Sequence, residues 1–216
     1  MMIMNMILYL LIIPICDCFI FRTNIKQFFS PNKFTYISVD QYSKEQIYCI
    51  SSFVTGERYD NLPTYLHTEM VTITEKDFLN RYQSPASNNL PFIILVANKG
   101  EEIIGVITIE CAPTVVANEE KKLYPVLSNL IVRKDMRRKG VAKSLTRRAE
   151  SIVRARRYKD VYLYVDVENK AALQLYKSRG YKVTSDINET TKIACNNKRF
   201  VNIKCANMLM RKKMLF

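Results

Sequence analysis

The chain has 216 residues, 48% of them hydrophobic, so it is long enough for one domain of ordinary size with an appendage. Its 33 Lys and Arg residues outnumber 20 Asp and Glu residues, which gives a formal net charge of +13. This charge indicates an anionic partner, but it does not distinguish a phosphorylated cofactor from nucleic acid or a membrane.

The cysteine and histidine content argues against a disulfide scaffold or a structural metal. Six cysteines are spread along the chain without a CxxC pair, and His67 is the single histidine. A zinc site built on histidines needs more than one of them at defined spacings. We therefore expect reduced thiols and no bound metal.

The amino-terminal segment is typical of a targeting leader. Residues 6–15 form a run of about ten apolar residues, which is short of the roughly 20 that a membrane-spanning helix needs and suits the hydrophobic region of a signal peptide. Residues 19–39 carry Arg and Lys but no acidic residue, as in an organellar transit segment.

These segments predict a leader at residues 1–39, with the signal peptide at about 1–18, ahead of a domain at 40–216 whose first strand alternatively starts near residue 34. A signal peptide followed by a transit segment resembles the bipartite leaders of proteins sent to plastids with extra surrounding membranes. We expect a plastid-type organelle reached through the secretory route, and no membrane contact after leader removal. Because residues 1–5 hold no Lys or Arg, the secretory lumen or an uncleaved membrane anchor is the alternative.

The first part of the domain has few clear elements. Residues 34–39 are rich in β-branched and aromatic side chains and predict a strand, which a helix at 40–52 follows. Residues 54–73 are polar and without pattern. A second helix is expected to start at residues 74–77, and residues 85–90 are expected to form a loop.

A β-hairpin is predicted next. Two apolar segments, at 92–97 and 103–111, flank residues 98–102, whose Asn and Gly suit a hairpin turn. A polar connection is expected at 113–122.

The second half of the chain alternates strands and helices. The predicted elements are strands at 124–132 and 160–165, helices at 138–156 and 170–179, and two last strands at 181–185 and 200–212 around a polar loop. Gly180 is expected to cap the preceding helix. Two strand-loop-helix crossovers in this order indicate an α/β fold.

A phosphate-binding loop is predicted where the strand ending at Val132 leads into a helix. The amino end of a helix carries free N–H groups and about half a positive charge, so a phosphate placed there needs few side chains. Gly140 has no Cβ that would hold a pyrophosphate away from the backbone. Ala142, two residues later, has the smallest side chain after glycine and also leaves room for the phosphate. The cations around them are Arg137, Arg138, Lys139 and Lys143. Taken alone, this string also fits a basic helix start with a chance glycine.

A second candidate motif begins at Asn169, at a strand-to-helix turn. Tyr176 follows seven residues later, about two helical turns along the same face. Both side chains can therefore point at one ligand. Tyr176 is alternatively an aromatic at the boundary of an amphipathic helix.

Together, the two motifs resemble the GNAT superfamily of acetyltransferases. The first motif of that superfamily, Gln/Arg-x-x-Gly-x-Gly/Ala, is matched by Arg137, Gly140 and Ala142. The residues that match its second pattern are Asn169, Ala172, Leu175, Tyr176, Gly180 and Tyr181. The resemblance covers residues 90–213, and residues 34–90 by element order. Within the superfamily, these segments look most like plastid GNATs and bacterial protein N-terminal acetyltransferases.

The resemblance implies the GNAT fold, an α/β (α+β) architecture with a mixed central sheet of about six to seven strands and helices on both faces. It implies acetyl transfer from acetyl-CoA to a primary amine without a metal. The cofactor-binding residues that it implies are Leu130, Ile131, Val132, Arg137, Arg138, Lys139, Gly140, Val141, Ala142, Lys143, Asn169 and Tyr176. Tyr176 is also implied as the catalytic acid, since a CoA thiolate with a thiol pKa of about 8.5 is easily protonated by a phenol.

No residue is marked as the general base. Some family members use a glutamate on the strand before the phosphate loop, but residues 121–134 hold no carboxylate. At pH 7 about a tenth of an α-amine of pKa about 7.8 is neutral, against about 0.04% of a lysine, a gap of about 3.5 kcal/mol. The missing base therefore favours protein N-terminal α-amines over lysine side chains. The candidate bases elsewhere are Glu110, Tyr124, Tyr164, Asp166 and Glu168.

Two other functions stay open at this stage. One is acetylation of a small amine, such as a polyamine or an arylalkylamine, which residues 54–90 would decide. The other is a non-catalytic GNAT-fold protein that binds nucleic acid or the ribosome through the basic run at residues 154–159. The sequence indicates no particular oligomeric state. No stacking aromatics alternate with the basic charges, so we expect no stable nucleic-acid complex. The expected partners are protein or peptide N-termini as acetyl acceptors.

Overall fold

The computed structural model describes residues 28–29, 34–39, 43–59, 62–83, 90–114, 116, 122–184, 188–196 and 199–215. The elements in chain order are β1 (Phe28–Phe29), β2 (Thr35–Val39), α1 (Lys44–Arg58), α2 (Thr64–Gln83), β3 (Ile93–Lys99), β4 (Glu102–Thr114), β5 (Lys122–Val132), a 3-10 turn (Lys134–Met136), α3 (Val141–Ala155), β6 (Asp160–Asp166), α4 (Lys170–Ser178), β7 (Lys182–Val183), β8 (Asn188–Asn196) and β9 (Arg199–Lys213). The signal peptide predicted at 1–18 lies outside the described residues.

The described strands form one mixed sheet in the order β1-β2-β3-β4-β5-β6-β9-β7, with β8 paired to β9. β5 and β6 pair in parallel, whereas the other pairs are antiparallel. The mixed sheet of the predicted fold is confirmed. Within the described part of the chain it counts nine strands, more than the six to seven expected, because the sequence analysis predicts neither the two-residue strand β1 nor the strand β8.

Helices cover both faces of the sheet, as the predicted architecture requires. Val106 of β4 packs in one core cluster with Ile47 of α1. Its neighbour Gly105 faces α3, since a Cβ at this glycine would lie 3.0 Å from Val141 Cγ1. Successive residues of a strand point to opposite faces, so α1 and α3 lie on opposite sides of the sheet. Tyr176 of α4 belongs to the same cluster as Val141, which places α4 on the α3 side.

β2 contributes to the core of the domain. Tyr36 is 1% exposed and pairs with Ala97 of β3, and the Arg148 guanidinium lies 4.2 Å from the centroid of its ring. Burial of a side chain of this size contributes roughly 2 to 3 kcal/mol. The folded domain therefore includes residues 34–39. The domain was predicted at 40–216 with an alternative start of its first strand near residue 34, and the position of β2 agrees with that alternative.

α1 begins at Lys44, later than the predicted start at residue 40, because Ser43 caps it. The Ser43 hydroxyl accepts from the Gln46 N–H at 3.2 Å, and Gln46 Oε1 accepts from the Ser43 N–H at 3.1 Å. This capping box satisfies two backbone groups at the helix start. The helix runs to Arg58, past the predicted end at residue 52, because Val54 is buried against the sheet.

The expectation that residues 54–73 are irregular is wrong at residues 54–58, where α1 ends, and from residue 64 onward, where α2 begins. The hydroxyls of Thr68 and Thr72 donate to the carbonyls four residues earlier, both at 3.0 Å, so these threonines bond within the helix. The buried side chains of α2 are Leu66, Met70, Val71 and Phe78. Tertiary packing of this face, rather than helix propensity, stabilises the segment.

The region between the last two predicted strands, expected to be a polar loop, contains β8. β8 pairs along its whole length with residues 199–207 of β9. Residues 189–193 are all exposed, so no alternation of apolar and polar side chains marks this strand in the sequence.

The β3–β4 hairpin and the Gly180 cap are confirmed. Gly100 lies in the hairpin turn with φ +62°, and Gly180 follows α4 with φ +86°. β4 continues to Thr114 and β5 begins at Lys122, so the connection expected at 113–122 is shorter than predicted.

Candidate active site

β5 and β6 separate part of the way along the sheet. Their parallel register joins Val126 to Tyr162 and Leu127 to Leu163. Beyond Leu127 the described register shows no further pairing between the two strands, although β5 continues to Val132. The predicted cofactor residues Leu130, Ile131 and Val132 lie on this part of β5. Backbone N–H and C=O groups along its edge are therefore available to a ligand.

A β-bulge accounts for this separation. The β4–β5 register passes from Val106 opposite Ile131 to Thr108 opposite Ser128, so β5 has one extra residue. Asn129 within the bulge has φ +51°. A bulge bends its strand and increases the local twist, which turns β5 away from β6.

Side-chain hydrogen bonds hold the bulge. Asn129 Nδ2 donates to Thr108 Oγ1 at 3.2 Å, and Asn129 Oδ1 accepts from Arg58 Nη2 at 2.7 Å. The hydroxyl oxygens of Thr108 and Ser128 are 2.8 Å apart. Asparagine tolerates the left-handed backbone better than most residues, so these bonds fix a conformation already accessible to it. The last turn of α1 is thereby tied to the strand that borders the opening.

Gly140 is the N-cap of α3, with φ +84° and ψ 0°. The predicted helix start at Arg138 is therefore too early, since Arg138 itself has φ +64° and α3 begins at Val141. A Cβ at Gly140 would meet no atom within 4 Å, so the space in front of the glycine is open. Gly140 makes no side-chain cap, and the first N–H groups of the helix, at Val141, Ala142 and Lys143, have no partner within the helix. This arrangement suits an anion.

The cations predicted around this helix start differ in their surroundings. Arg138, Lys139 and Lys143 are exposed beside Gly140. Arg137 turns back toward the sheet, where its Nε donates to the carbonyl of Val132 at 3.0 Å. All four side chains are exposed and add positive potential at the start of α3, while Arg137 also supports the end of β5.

Glu57 of α1 also lies beside the loop of the candidate site, although its sequence context does not indicate this. Its Oε2 accepts from the backbone N–H of Lys134 at 2.9 Å and lies 3.5 Å from Arg137 Nη2. The carboxylate side chain is 17% exposed. No local pattern could have found this contact, because it joins residues 77 positions apart.

Asn169 caps α4. Its Oδ1 accepts from the backbone N–H of Ala172 at 3.0 Å, which is the usual action of an asparagine N-cap. The side chain is exposed, and capping uses its oxygen, so the amide N–H₂ group is left for a ligand.

Tyr176 lies in the main core cluster rather than at its boundary. Its side chain is 7% exposed, and its ring packs edge-on against Tyr181 with 5.5 Å between centroids. Burial raises the pKa of Tyr176 above its ordinary value. The phenol therefore stays protonated at physiological pH and is a weaker acid than the sequence analysis assumed.

Two of the candidate bases are carboxylates already paired with cations. Glu110 lies inside β4, is half-buried and is bonded to Arg81 of α2. Burial raises the pKa of Glu110, and the Arg81 charge opposes this effect. Asp166 lies 2.6 Å from Lys192 Nζ, and this ammonium lowers the pKa of the Asp166 carboxyl. Neither carboxylate is free to take a proton from an amine without losing its partner.

The other candidate bases differ in burial. Tyr124 packs against Tyr162 with 4.8 Å between centroids, whereas the Tyr164 side chain is 42% exposed. Glu168 is exposed in the turn before α4. Of these, Tyr164 and Glu168 are accessible to a substrate.

The described ranges contain no cluster of three or more His, Cys, Asp or Glu side chains that could hold a metal ion. In the same ranges no helix is both long enough and apolar enough to cross a membrane.

A ligand suited to this site is extended at one end and anionic at the other, since a strand edge binds amide groups and a helix terminus binds phosphates. Coenzyme A has this form, with amides in its pantetheine arm and a pyrophosphate behind it. Fold and site together define a CoA-dependent acyltransferase. The sequence model of the acetyltransferase (GNAT) family matches residues 57–181, so the chain belongs to that family and is an acetyl-CoA-dependent acetyltransferase.

Solved structures of the family share this fold. The PaiA N-acetyltransferase of Thermoplasma acidophilum, in complex with coenzyme A, superposes with a TM-score of 0.54 at 18% identity, over 83% of this chain and 99% of that one. The ribosomal-protein-alanine N-acetyltransferase of Brucella melitensis gives 0.54 at 14% identity, over 80% and 97%. The ribosomal-protein-S18-alanine N-acetyltransferase of Escherichia coli gives 0.52 at 16% identity, over 82% and 93%. No curated protein sequence matches the chain.

Proposed function

We propose that this acetyltransferase acts on the α-amine of protein N-termini, with lysine side chains as a weaker class of acceptor. The observation behind the proposal is the opening between β5 and β6 beyond Leu127. The phosphate loop follows β5 directly, and Leu130 and Val132 pack against the same core cluster as Tyr176. We infer that a cofactor strand, an anion site and the phenol of Tyr176 meet at this opening.

The residues at this opening would hold acetyl-CoA in two parts. The N–H groups at the start of α3 would bind the pyrophosphate, with Arg138, Lys139 and Lys143 around it. The backbone of Leu130, Ile131 and Val132, at the free edge of β5, would bond to the pantetheine arm. The amide N–H₂ of Asn169, which capping leaves unused, orients the cofactor from α4.

Transfer proceeds by direct attack of a neutral amine on the thioester carbonyl. The C–N bond forms, the C–S bond breaks, and the amine proton passes to water as the CoA thiolate leaves. Tyr176 donates a hydrogen bond to the departing sulfur. Because its pKa is raised, complete proton transfer to a thiolate with a conjugate-acid pKa of about 8.5 is uphill, so stabilisation by the hydrogen bond is its main contribution.

The charges near the site favour an α-amine over a polycation. A polyamine or a lysine-rich acceptor needs several free carboxylates, but two of the three carboxylates named as candidate bases, Glu110 and Asp166, are paired with Arg81 and Lys192, which leaves Glu168. With no carboxylate on β5 to remove a proton, an acceptor that is already partly neutral at pH 7 has the advantage. The fold shared with two ribosomal-protein-alanine N-acetyltransferases is in keeping with this acceptor class.

The structure weakens the nucleic-acid alternative. Tyr158, the aromatic residue in the basic run at 154–159, is half-buried and accepts a hydrogen bond from Cys111 Sγ at 3.4 Å. A base-stacking aromatic must present its ring face to solvent. The charges of this run therefore lack the stacking partner that single-stranded nucleic acid uses.

Calorimetry and acetylation assays test the proposal. We expect acetyl-CoA to bind the purified domain, and we expect mass spectrometry to find acetyl groups on the α-amine of peptides that differ in their first residue. Matched peptides with a blocked N-terminus and one internal lysine measure the lysine reaction, and spermidine measures the small-amine reaction. Faster acetylation of spermidine than of every peptide would overturn the proposed acceptor class.

We further propose that the enzyme works in a plastid-type organelle, to which the leader predicted at residues 1–39 directs it, except that residues 34–39 belong to the folded domain and the cleaved part ends before them. The support is the order of an apolar segment and a basic segment without acidic residues. Sequencing the amino terminus of the protein from cells tests this idea, since we expect the mature chain to start well past residue 18. An intact Met1 would contradict leader cleavage.

A further inference from the structure

α3 carries one carboxylate, and it is buried. Glu150 is 1% exposed and lies on the side of α3 that packs against the sheet, next to Ala149 and Val153 of the main core cluster. A carboxylate in such surroundings is costly unless cations and hydrogen bonds compensate it. Its partners therefore indicate what the residue does.

Two cations from distant parts of the chain bind this carboxylate. Glu150 Oε2 accepts from Arg179 Nη2 and from Lys212 Nζ, the latter at 2.8 Å. Arg179 is the C-cap of α4 and Lys212 lies in β9, so Glu150 joins three elements at one point. Both cations are mostly buried, with side chains 14% and 22% exposed. Buried ion pairs of this kind resist displacement, because removing one partner leaves an uncompensated charge.

The ion cluster formed by Glu150, Arg179 and Lys212, called the Glu150 cluster below, contacts the residues around Tyr176. The carbonyl of Tyr176 accepts from the backbone N–H groups of Arg179 and Tyr181, both at 3.0 Å. Lys212 Nζ lies 5.8 Å from the centroid of the Tyr181 ring, and that ring packs edge-on against Tyr176. The last turn of α4, with the phenol on it, is thus bounded by the Glu150 cluster.

Glu150 also belongs to the helix whose amino end forms the anion site. Gly140 caps α3 ten residues earlier, about 15 Å along the helix axis. Because α3 joins Gly140 to Glu150, and Glu150 bonds to Arg179, this helix fixes the distance between the anion site and the end of α4. Burial and the neighbouring Glu150 carboxylate raise the pKa of the Tyr181 phenol, so Glu150 also acts on the residue whose ring packs against Tyr176.

We propose that Glu150 is a positioning residue for acetyl transfer, which acts by holding Arg179 and Lys212 so that the Tyr176 hydroxyl reaches the leaving sulfur. This inference rests on the proposed role of Tyr176. If it is right, a change at Glu150 lowers kcat only when the Tyr176 hydroxyl is present. An ion cluster with a purely structural role would instead affect the stability of the fold and not kcat.

The test is a double-mutant cycle on the full chain. Glu150→Gln keeps the shape of the side chain and removes its charge. We expect kcat to fall about tenfold while Kd and KM for acetyl-CoA stay within about twofold, because the phosphate loop is intact. In a Tyr176→Phe background, the same change is expected to alter kcat by less than about twofold, since the hydroxyl that Glu150 positions is gone.

Asp160→Asn is the matched control. It removes the carboxylate of another ion pair, Asp160 to Arg211 at 2.8 Å, which also joins β6 to β9 and lies one residue from Lys212 on β9, so it is a close control for the loss of an ion pair in this part of the sheet. We expect this variant to lose stability but to keep wild-type kcat in both backgrounds. If Glu150→Gln does not fold, Arg179→Lys takes its place in the cycle, since it keeps a cation beside Glu150 but changes its geometry.

Two results would overturn the inference. One is an equal fall in kcat on removing the Glu150 charge with and without the Tyr176 hydroxyl. The other is wild-type kcat in the Glu150→Gln protein, which would leave the cluster a stability role. Failure of the proposed function has a different signature, because the unaltered chain would then bind no acetyl-CoA or acetylate no peptide.

Discussion

Glu57 Oε2 accepts a hydrogen bond from the backbone N–H of Lys134 at 2.9 Å, and the same oxygen lies 3.5 Å from Arg137 Nη2. This contact places the end of α1 against the loop that leads to the anion site at Gly140. The next residue, Arg58, bonds to Asn129 in the β5 bulge. Consecutive residues of α1 therefore hold both ends of the strand segment along which we place the pantetheine arm.

Glu57→Ala is expected to weaken acetyl-CoA binding about three- to tenfold, because the Lys134 N–H and Arg137 lose their acceptor and the loop is less well ordered. Glu57→Gln keeps an oxygen for the Lys134 N–H and should change Kd by less than about twofold. Calorimetry measures both constants. Glu45→Ala, in the exposed first turn of the same helix, is the control and should bind normally. Wild-type affinity in the Glu57→Ala protein would remove Glu57 from the site.

Gly140→Val is expected to weaken acetyl-CoA binding at least about a hundredfold, because its side chain enters the space assigned to the pyrophosphate. The backbone also favours glycine, since φ is +84°, and the strain costs about 1 to 2 kcal/mol of stability. Gly100→Val is a close control, because this hairpin glycine has φ +62° and, as at Gly140, an added Cβ would meet no atom within 4 Å. Both variants should melt at lower temperature, but only the Gly140 variant should lose binding. Equal Kd values in the two variants would show that no phosphate binds at Gly140.

Tyr176→Phe is expected to lower kcat about ten- to a hundredfold and to leave Kd for acetyl-CoA nearly unchanged. The ring and its contact with Tyr181 remain, so the loss reports on the hydroxyl alone. Rapid-quench or steady-state acetylation of a peptide gives kcat, and calorimetry gives Kd. Tyr158→Phe removes a phenol that bonds to Cys111 and serves as the control. Normal turnover without the Tyr176 hydroxyl would exclude its part in the departure of CoA.

The Asp166–Lys192 pair makes stability depend on pH. The ammonium lowers the pKa of Asp166, so the pair stabilises the folded chain above the ordinary carboxyl pKa of about 3.9 and this contribution is lost as the pH falls through the lowered value. Asp166→Asn should therefore lower Tm at pH 7 by about 1 to 3 °C, with the difference vanishing at low pH. Thermal unfolding of this variant and of Lys192→Met, which should lose as much, checks the prediction. Because Asp166 is paired, kcat at pH 7 should stay within about twofold of wild type; a large loss would restore Asp166 as a base.

Local sequence was sufficient for the loop and for the element order from β5 to β7. Gly140 and Asn169 were found because a helix start needs particular residues at fixed offsets, whatever surrounds it. The first half of α2 and the whole of β8 were missed for the opposite reason. Phe78 and the other buried side chains of α2 are few, and both faces of β8 are solvated, so neither element has a clear period in the sequence.

The sequence by itself determined the fold class and the cofactor half of the site, because the anion-binding groups belong to one strand, one loop and one helix, whose geometry is set over a few residues. The tertiary structure alone decided which side chains support that site. Glu57 meets Lys134 across 77 positions, Arg58 meets Asn129 across 71, and Glu150 meets Lys212 across 62. Such contacts depend on how helices pack against the sheet, which no local spacing specifies. Packing likewise buried Tyr176, and so changed its expected action from proton transfer to a hydrogen bond.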